Sequence, residues 1–302
     1  MTNGTWSKSE GYSPVNVNVP ASAVTSGTKV ITANGVYNIT EFKNIKVRIG
    51  AYASISPIDG ITYVDGLPNE WNAIKEIAKM ISEASGSINA NTTGSVYVNK
   101  GGLGYKITPG NTINITTSQM GTIKYAVMGF NNFALTNKSN YGGTHNTAGL
   151  TFGAVDCMGR KYQMNSTDTN RDGWGNCLMR TSTMPTLQSG MPDTLAQVKV
   201  PYVKYRSSTI SYSNDYLFLP AEKEVFGVRT DSPTKEANAL TQFAYYKNGG
   251  SKIKRVSGAV NHWFLRSVYS SESGLFCAVN QSGGTSFSYA TASSGTAPCF
   301  CV

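Results

Sequence analysis

A strand-dominated α+β fold is expected here from three features of the chain. Short apolar runs bounded by turn residues recur, as in Val96-Tyr97-Val98, Ile113-Asn114-Ile115 and Leu275-Phe276-Cys277-Ala278-Val279, which is how buried strands read. Only 14% of residues are charged, and the polar share comes instead from Ser, Thr, Asn and 31 Gly, a mix suited to β-rich proteins with many turns. One segment alone carries a clear helical period. The chain has 302 residues, of which 40% are hydrophobic, enough to bury a sizeable core.

Residues 1–50 read as a β-region. The runs Val15-Asn16-Val17-Asn18-Val19, Lys29 to Ile39 and Ile45 to Ile49 alternate, and Asn34-Gly35 is a hairpin signal. Residues 51–86 read as a linker and an amphipathic helix. Trp71, Ile74, Ile77, Ala78 and Ile81 fall at helical spacing, with Glu70 at the start where the dipole favours an anion and an end near Ala84-Ser85-Gly86. So short a helix must dock its stripe on a domain or on copies of itself. Ser87 to Thr93 is a polar linker candidate.

Residues 87–302 read as one domain. The strand from Ile123 to Phe130 leads it, with weakly amphipathic stretches around Trp174 to Arg180 and Leu195 to Val198. Tyr216 to Leu219 is a strand feeding a short helical turn at Glu222 to Val225. The last forty residues place His262-Trp263-Phe264-Leu265-Arg266-Ser267, Leu275 to Val279 and Pro298-Cys299-Phe300-Cys301-Val302 among Ser-, Gly-, Thr-, Tyr- and Asn-rich loops. Fixed apolar strands displaying such loops suggest recognition, because Ser, Gly and Asn bond adaptably while Tyr anchors.

The 26 Lys+Arg against 17 Asp+Glu give a net charge of +9. The basic residues are scattered, with Lys252, Lys254 and Arg255 the densest group, and no nucleic-acid motif accompanies them. No nucleic-acid partner is expected; an anionic cell surface fits the same charge. Cys157, Cys177, Cys277, Cys299 and Cys301 have no C-x-x-C pair and read as buried thiols. The N-terminus lacks a signal-peptide pattern, and no stretch reaches membrane-spanning length. The expectation is synthesis in a bacterial cytoplasm without membrane insertion.

Two resemblances sharpen this reading. Gly27 to Ile49 resembles a short β-repeat of tail and appendage proteins from phages of gut bacteria. From about Thr122 onward the chain resembles an uncharacterised, C-type-lectin-like domain family of gut bacteria and their phages. That likeness is carried by Met128-Gly129-Phe130-Asn131, Ala148 to Gly153, Tyr162 to Thr167 and Gly173-Trp174-Gly175 with Met179-Arg180-Thr181. It continues through Leu217-Phe218-Leu219, Glu224 to Gly227, Trp263-x-x-Arg266-Ser267, Phe276 to Val279 and Ala297-Pro298-x-Phe300-Cys301-Val302. The resemblance implies a C-type-lectin-like C-terminal domain in which terminal strands meet and an irregular region projects a binding surface. Such folds also carry diversified loops in some systems, and Tyr269, Ser270, Ser271, Ser273, Asn280, Ser286, Ser288, Tyr289, Thr291, Ser293 and Ser294 stand where variable positions would fall.

The expected ligand-binding residues are Tyr269, Ser271, Ser273, Asn280, Phe287, Tyr289, Thr291 and Ser293, with the rings as anchors; ordinary surface loops are the bland reading. Asp168-x-Asn170-x-Asp172-Gly173 matches half a calcium loop, but the twelfth position is Met179. Hence no cofactor is expected, with calcium the one ion this partial set would admit and an Asx-bonded turn the alternative. The Glu-Pro-Asn and Gln-Pro-Asp signatures of calcium-dependent sugar binding are absent. His145 and His262 lie far apart in sequence. Cys299-x-Cys301 has the wrong spacing for the cysteine pair of the formylglycine-generating enzymes, which are lectin-like. The sparse acids Asp168, Asp172, Glu222 and Glu224 form no glycosidase motif. Trp174 and Trp263 are expected in the core, and Arg266 in a structural ion pair or on carbonyls.

The combined expectation is a non-enzymatic virion protein, a tail fibre or receptor-binding protein. It would bind a host-surface glycan or protein through the C-terminal loops and meet other virion proteins through its N-terminal region, as a homo-oligomer, with a trimer the expected state. A head or collar decoration protein with the same domain is the alternative, and a glycan-active enzyme stands behind both.

Overall fold

The computed structural model describes residues 29–32, 35–38, 60–100, 102–141 and 145–302. Two compact units divide the chain, Met1–Ser54 and Ile55–Val302. In the first, β1 (Lys29–Thr32) pairs antiparallel with β2 (Gly35–Asn38), Thr32 opposite Gly35. Gly35 therefore begins a strand instead of lying in the turn, and the two residues between the strands lie outside the described residues. So do the expected strands at Val15–Val19 and Ile45–Ile49.

The second unit is strand-rich with few helices, an α+β arrangement. Its first layer is the small sheet of β3 (Tyr63–Asp65), β5 (Leu103–Ile107) and β4 (Val96–Lys100), with β3 parallel to β5. The helix α1 (Trp71–Glu83) follows β3, and its buried residues are Ile74, Ile77, Ala78, Ile81 and Ser82. This is the expected stripe, and it docks on the domain. Trp71 packs against Phe152 and Phe300 at 6.4 and 6.2 Å between ring centroids, and Ser82 Oγ donates to Thr147 O. Each fully buried Ile contributes roughly 1.5–3 kcal/mol. Residues 87–93 are no linker: Ile88 is buried, and Asn131 Nδ2 donates to both Ile81 O and Ile88 O.

The central sheet has the order β12 (Leu217–Phe218), β18 (Cys299–Cys301), β9 (Leu150–Ala154), β7 (Gly121–Phe130), β6 (Thr112–Thr117). All its pairs are antiparallel, and the closing strand β18 sits between β12 and β9. Phe152 and Phe300 stack at 5.0 Å across β9 and β18, and Tyr125 meets Phe300 edge-on at 5.0 Å.

A second sheet joins β8 (Ala134–Leu135), β10 (Val198–Val203) and β11 (Ile210–Asp215). The stretch at 195–198, expected to be helical, instead feeds β10: Ala196 N donates to Cys301 O at 2.8 Å, and tertiary pairing outweighs the weak helical period. The stretch from Trp174 becomes a 3-10 turn, then a π-turn and α2 (Met184–Gln188). Short helices α3 (Glu222–Phe226), α4 (Thr234–Asn238) and α5 (Ala244–Lys247) lead to the hairpin of β13 (Lys254–Val256) and β14 (Ala259–Asn261). Last comes the antiparallel sheet β15 (Trp263–Val268), β16 (Leu275–Val279), β17 (Thr285–Tyr289).

Candidate functional site

The strands that carry the C-terminal loops are anchored by a buried ion pair. Arg266 on β15 is fully buried and grips Glu224 of α3 with Nη1–Oε2 at 2.6 Å and Nη2–Oε1 at 2.8 Å. It also donates to the carbonyls of Pro201 and Leu219. Burial alone would lower the Arg266 pKa, but the Glu224 carboxylate outweighs it and the pKa lies above its ordinary value. Trp174 and Trp263 are wholly buried, as expected.

On this base β17 forms the outer strand of its sheet. The two-residue period of a strand puts Phe287 and Tyr289 on one face, and they stand 47% and 54% exposed. Tyr269, just after β15, lies 4.4 Å from Phe287 between ring centroids at 32°. The structure thus brings the three anchor rings to one region, with Tyr269 half-buried. Ser271 and Ser293 are exposed and Ser273 is half-buried. Asn280 and Thr291 do other work. Asn280 Oδ1 accepts from the backbone N–H of Ser282 and Gly284, both at 2.9 Å, and so shapes the turn before β17. Thr291 donates its Oγ1 and N–H to Asp168 Oδ1 at 2.6 and 3.0 Å.

The half calcium loop proves to be a clamp for this region. Asn170 is buried, and its Nδ2 donates to the carbonyls of Tyr269, Glu272 and Leu275 while its backbone N–H donates to Ser273 O. Asp168 holds Thr291 just beyond β17, and Asp172 reaches Lys204 at 3.9 Å. Asp168 is thus held by Thr291 and the Asn170 amide nitrogen by the loop carbonyls, while Asn170 Oδ1 has no hydrogen-bond partner among the described residues and Asp172 stays exposed. Among the described residues no group of three or more His, Cys, Asp or Glu is placed to hold a metal ion.

His145 is buried, with Nε2 3.4 Å from Glu83 Oε1, and burial lowers its pKa. All five cysteines are buried and free. Burial pushes the thiols of Cys157, Cys177 and Cys301 up to about 12, and raises those of Cys277 and Cys299 as well. Glu222 spends its carboxylate on the backbone N–H groups of Thr230, Asp231 and Ser232 and on the Ser232 hydroxyl. Glu222 and Glu224 are thus buried structural carboxylates of α3.

A cleft of about 470 Å³, which no sequence pattern marks, lies over the β8–β10–β11 sheet, lined by Lys199, Tyr212, Asn214, Thr241, Phe133 and Phe243 among others. The Val198-Lys199-Val200 alternation marks the strand, but the covering segment at 239–243 lies some forty residues further along. Nothing in the sequence joins the two.

A strand-rich α+β domain with an aromatic display face defines the class of this protein. Residues 146–302, just over half of the chain, match a family described as a domain of unknown function, DUF6273, and the chain belongs to that family. The matched span takes in the clamp loop, the buried ion pair and the aromatic face. Neither the curated proteins nor the solved structures contain a match.

Proposed function

We propose that this chain is a non-enzymatic adhesion protein of a phage particle, of tail-fibre or receptor-binding type, which binds a host-surface glycan or protein through the Tyr269, Phe287 and Tyr289 face. The observation that carries the reading is the exposure of Phe287 and Tyr289 at 47% and 54% on an ordered, clamped strand. Rigid rings give large contact area at small entropic cost, and adjacent Ser271 and Ser293 supply adaptable hydrogen bonds. A C-type-lectin-like fold belongs to the same proposal. It is supported by β18 lying beside β9, with β7 next, so that strands from both ends of the domain share a sheet. The resemblance of Gly27 to Ile49 to phage appendage repeats supports the virion setting, with attachment and trimerisation assigned to the N-terminal region. Weak contacts at each copy would then add up through multivalency.

The test is binding of the labelled full chain to candidate host cells beside a Tyr269→Ala, Phe287→Ala, Tyr289→Ala variant with an unchanged melting curve. Saturable binding lost in the variant is the expected result. A folded, multimerised chain that binds no host cell would overturn the receptor reading in favour of a head or collar decoration. Release of reducing sugar from host glycans would overturn it in favour of an enzyme.

A further inference from the structure

The cleft over the β8–β10–β11 sheet has a composition that the aromatic face does not explain. The register sets Lys199 opposite Asn214 and Pro201 opposite Tyr212, with Ala134 of β8 beyond Lys199. Directly opposed residues, and residues two apart, share a face, so these five side chains form one continuous floor. All five line the cleft. The other face of the sheet is core: Val198, Val200, Ser213 and Asp215 are buried, and Asp215 accepts from Trp174 Nε1, Arg180 Nε and Ser213 Oγ at 2.8, 2.7 and 2.6 Å. The floor is therefore rigidly backed.

Its chemistry is specific. Tyr212 is 60% exposed, an aromatic side chain offered to solvent on a β-strand. Asn214 and Thr241 add an amide and a hydroxyl, and the buried Phe133 and Phe243 add apolar wall. Glu224 also lines the cleft, but its charge is matched by the bidentate Arg266. Lys199 is exposed and has no ion-pair partner among the described residues. The cleft's uncompensated charge is thus a single ammonium beside an aromatic platform. Its volume of about 470 Å³ falls in the range of small-molecule sites, roughly 300–1,000 Å³.

The geometry points to a second binding site in this cleft for a carboxylate-bearing sugar unit: the pyranose ring stacks on Tyr212, its hydroxyls meet Asn214 and Thr241, and its carboxylate meets Lys199. A nucleotide fits less well, because one lysine without a cradle of backbone N–H groups is poor support for a polyphosphate. A purely apolar ligand would leave Lys199 and Asn214 desolvated without partners. The site shares no residue with the aromatic face and stands whether or not the adhesion reading does.

The experiment is saturation-transfer NMR, amide correlation spectra of the labelled protein and calorimetry on the full chain with methyl glucuronide, set against the neutral methyl glucoside. The glucuronide is expected to bind, with amide resonances of residues 239–243 shifting in the wild type, and the glucoside about tenfold more weakly or not at all, as a charge-assisted contact requires. Tyr212→Ala should abolish binding, and Lys199→Gln should erase the preference for the acid; both side chains are exposed, so the melting curve should hold. The Tyr269→Ala, Phe287→Ala, Tyr289→Ala variant should bind the glucuronide normally, which separates this site from the adhesion face. No binding of the glucuronide, equal binding of the two sugars by the wild type, or binding indifferent to both cleft substitutions would each overturn the proposal.

Discussion

Among single residues, Glu236 is a carboxylate whose charge state the fold alters. It lies on α4, fully buried, beside the sealed Glu222, Glu224 and Arg266. Neither of its carboxyl oxygens has a well-formed hydrogen bond among the described residues. Burial drives its pKa up to about 7 from 4.5, and the nearby Arg266 guanidinium and Ser267 hydroxyl pull it back only partway. An acid with a raised folded pKa binds its proton more tightly in the native state. Its contribution is therefore full below about 4.5 and is lost as pH rises through about 7. The ceiling on that loss is on the order of 3 kcal/mol. Glu236→Gln keeps the shape and removes the titration. In paired urea melts the two proteins should match in mild acid, and the variant should become the more stable one by about pH 8. A stability difference that stays flat across that range would show that Glu236 does not titrate in the folded chain.

Among the described residues the elements expected from strong periods are present, the alternating runs Val15–Val19 and Ile45–Ile49 lying outside them, and those set by distant partners were not legible. The α1 stripe, the Ile123–Phe130 strand and the blocks that became β15, β16 and β18 were legible because an apolar run fixes its own burial. Trp263 was legible for the same reason, Trp174 from the size of its ring and Arg266 from its place directly after an apolar run. The β13–β14 hairpin was missed although Ser257 and Gly258, both with positive φ, form the kind of two-residue turn that hairpins favour. The clamp's partners were not legible because calcium loops and Asx-bonded turns place the same residues at the same spacing, and only the fold shows where the side chains go. Asn170 donates to three loop carbonyls at once, so it works at the level of the element: it ties the 269–275 loop to its own segment, which Asp168 joins to Thr291 beyond β17. Asn170→Ala would remove the side-chain donor to the Tyr269 and Glu272 carbonyls and leave Leu275 O with the Tyr269 N–H alone, at a cost of about 1–3 kcal/mol. Denaturant melts should show that loss, and hydrogen exchange should speed up first in residues 269–275. Melts unchanged from wild type would mean that other groups hold the loop.

At the scale of the whole molecule, closure depends on the far end of the chain. β18 pairs on one side with β9, about 150 residues earlier, and on the other with β12, about 80 residues earlier. Val302 exchanges backbone hydrogen bonds with Leu150 at 3.0 and 3.2 Å, and the Phe300 ring fills the space between Phe152, Tyr125 and Trp71. A sheet whose inner strand arrives this late is built on non-local contacts and gains its stability only on closure. Without residues 298–302, β9 and β12 would face each other across an empty strand position, each with unpaired backbone groups in the core. The cysteines report this directly. All five are buried with raised thiol pKa values, so they should be inert to a disulfide reagent in the native chain and reactive in denaturant. A chain ending at Ala297 keeps Cys157, Cys177 and Cys277, which lie in different parts of the domain. All three are expected to react at near-denatured rates, with no cooperative thermal transition, because losing the inner strand unfolds the domain as a unit. Protection of Cys177 and Cys277 in the shortened chain would instead show that the aromatic face and its clamp form a unit stable without the closing strand.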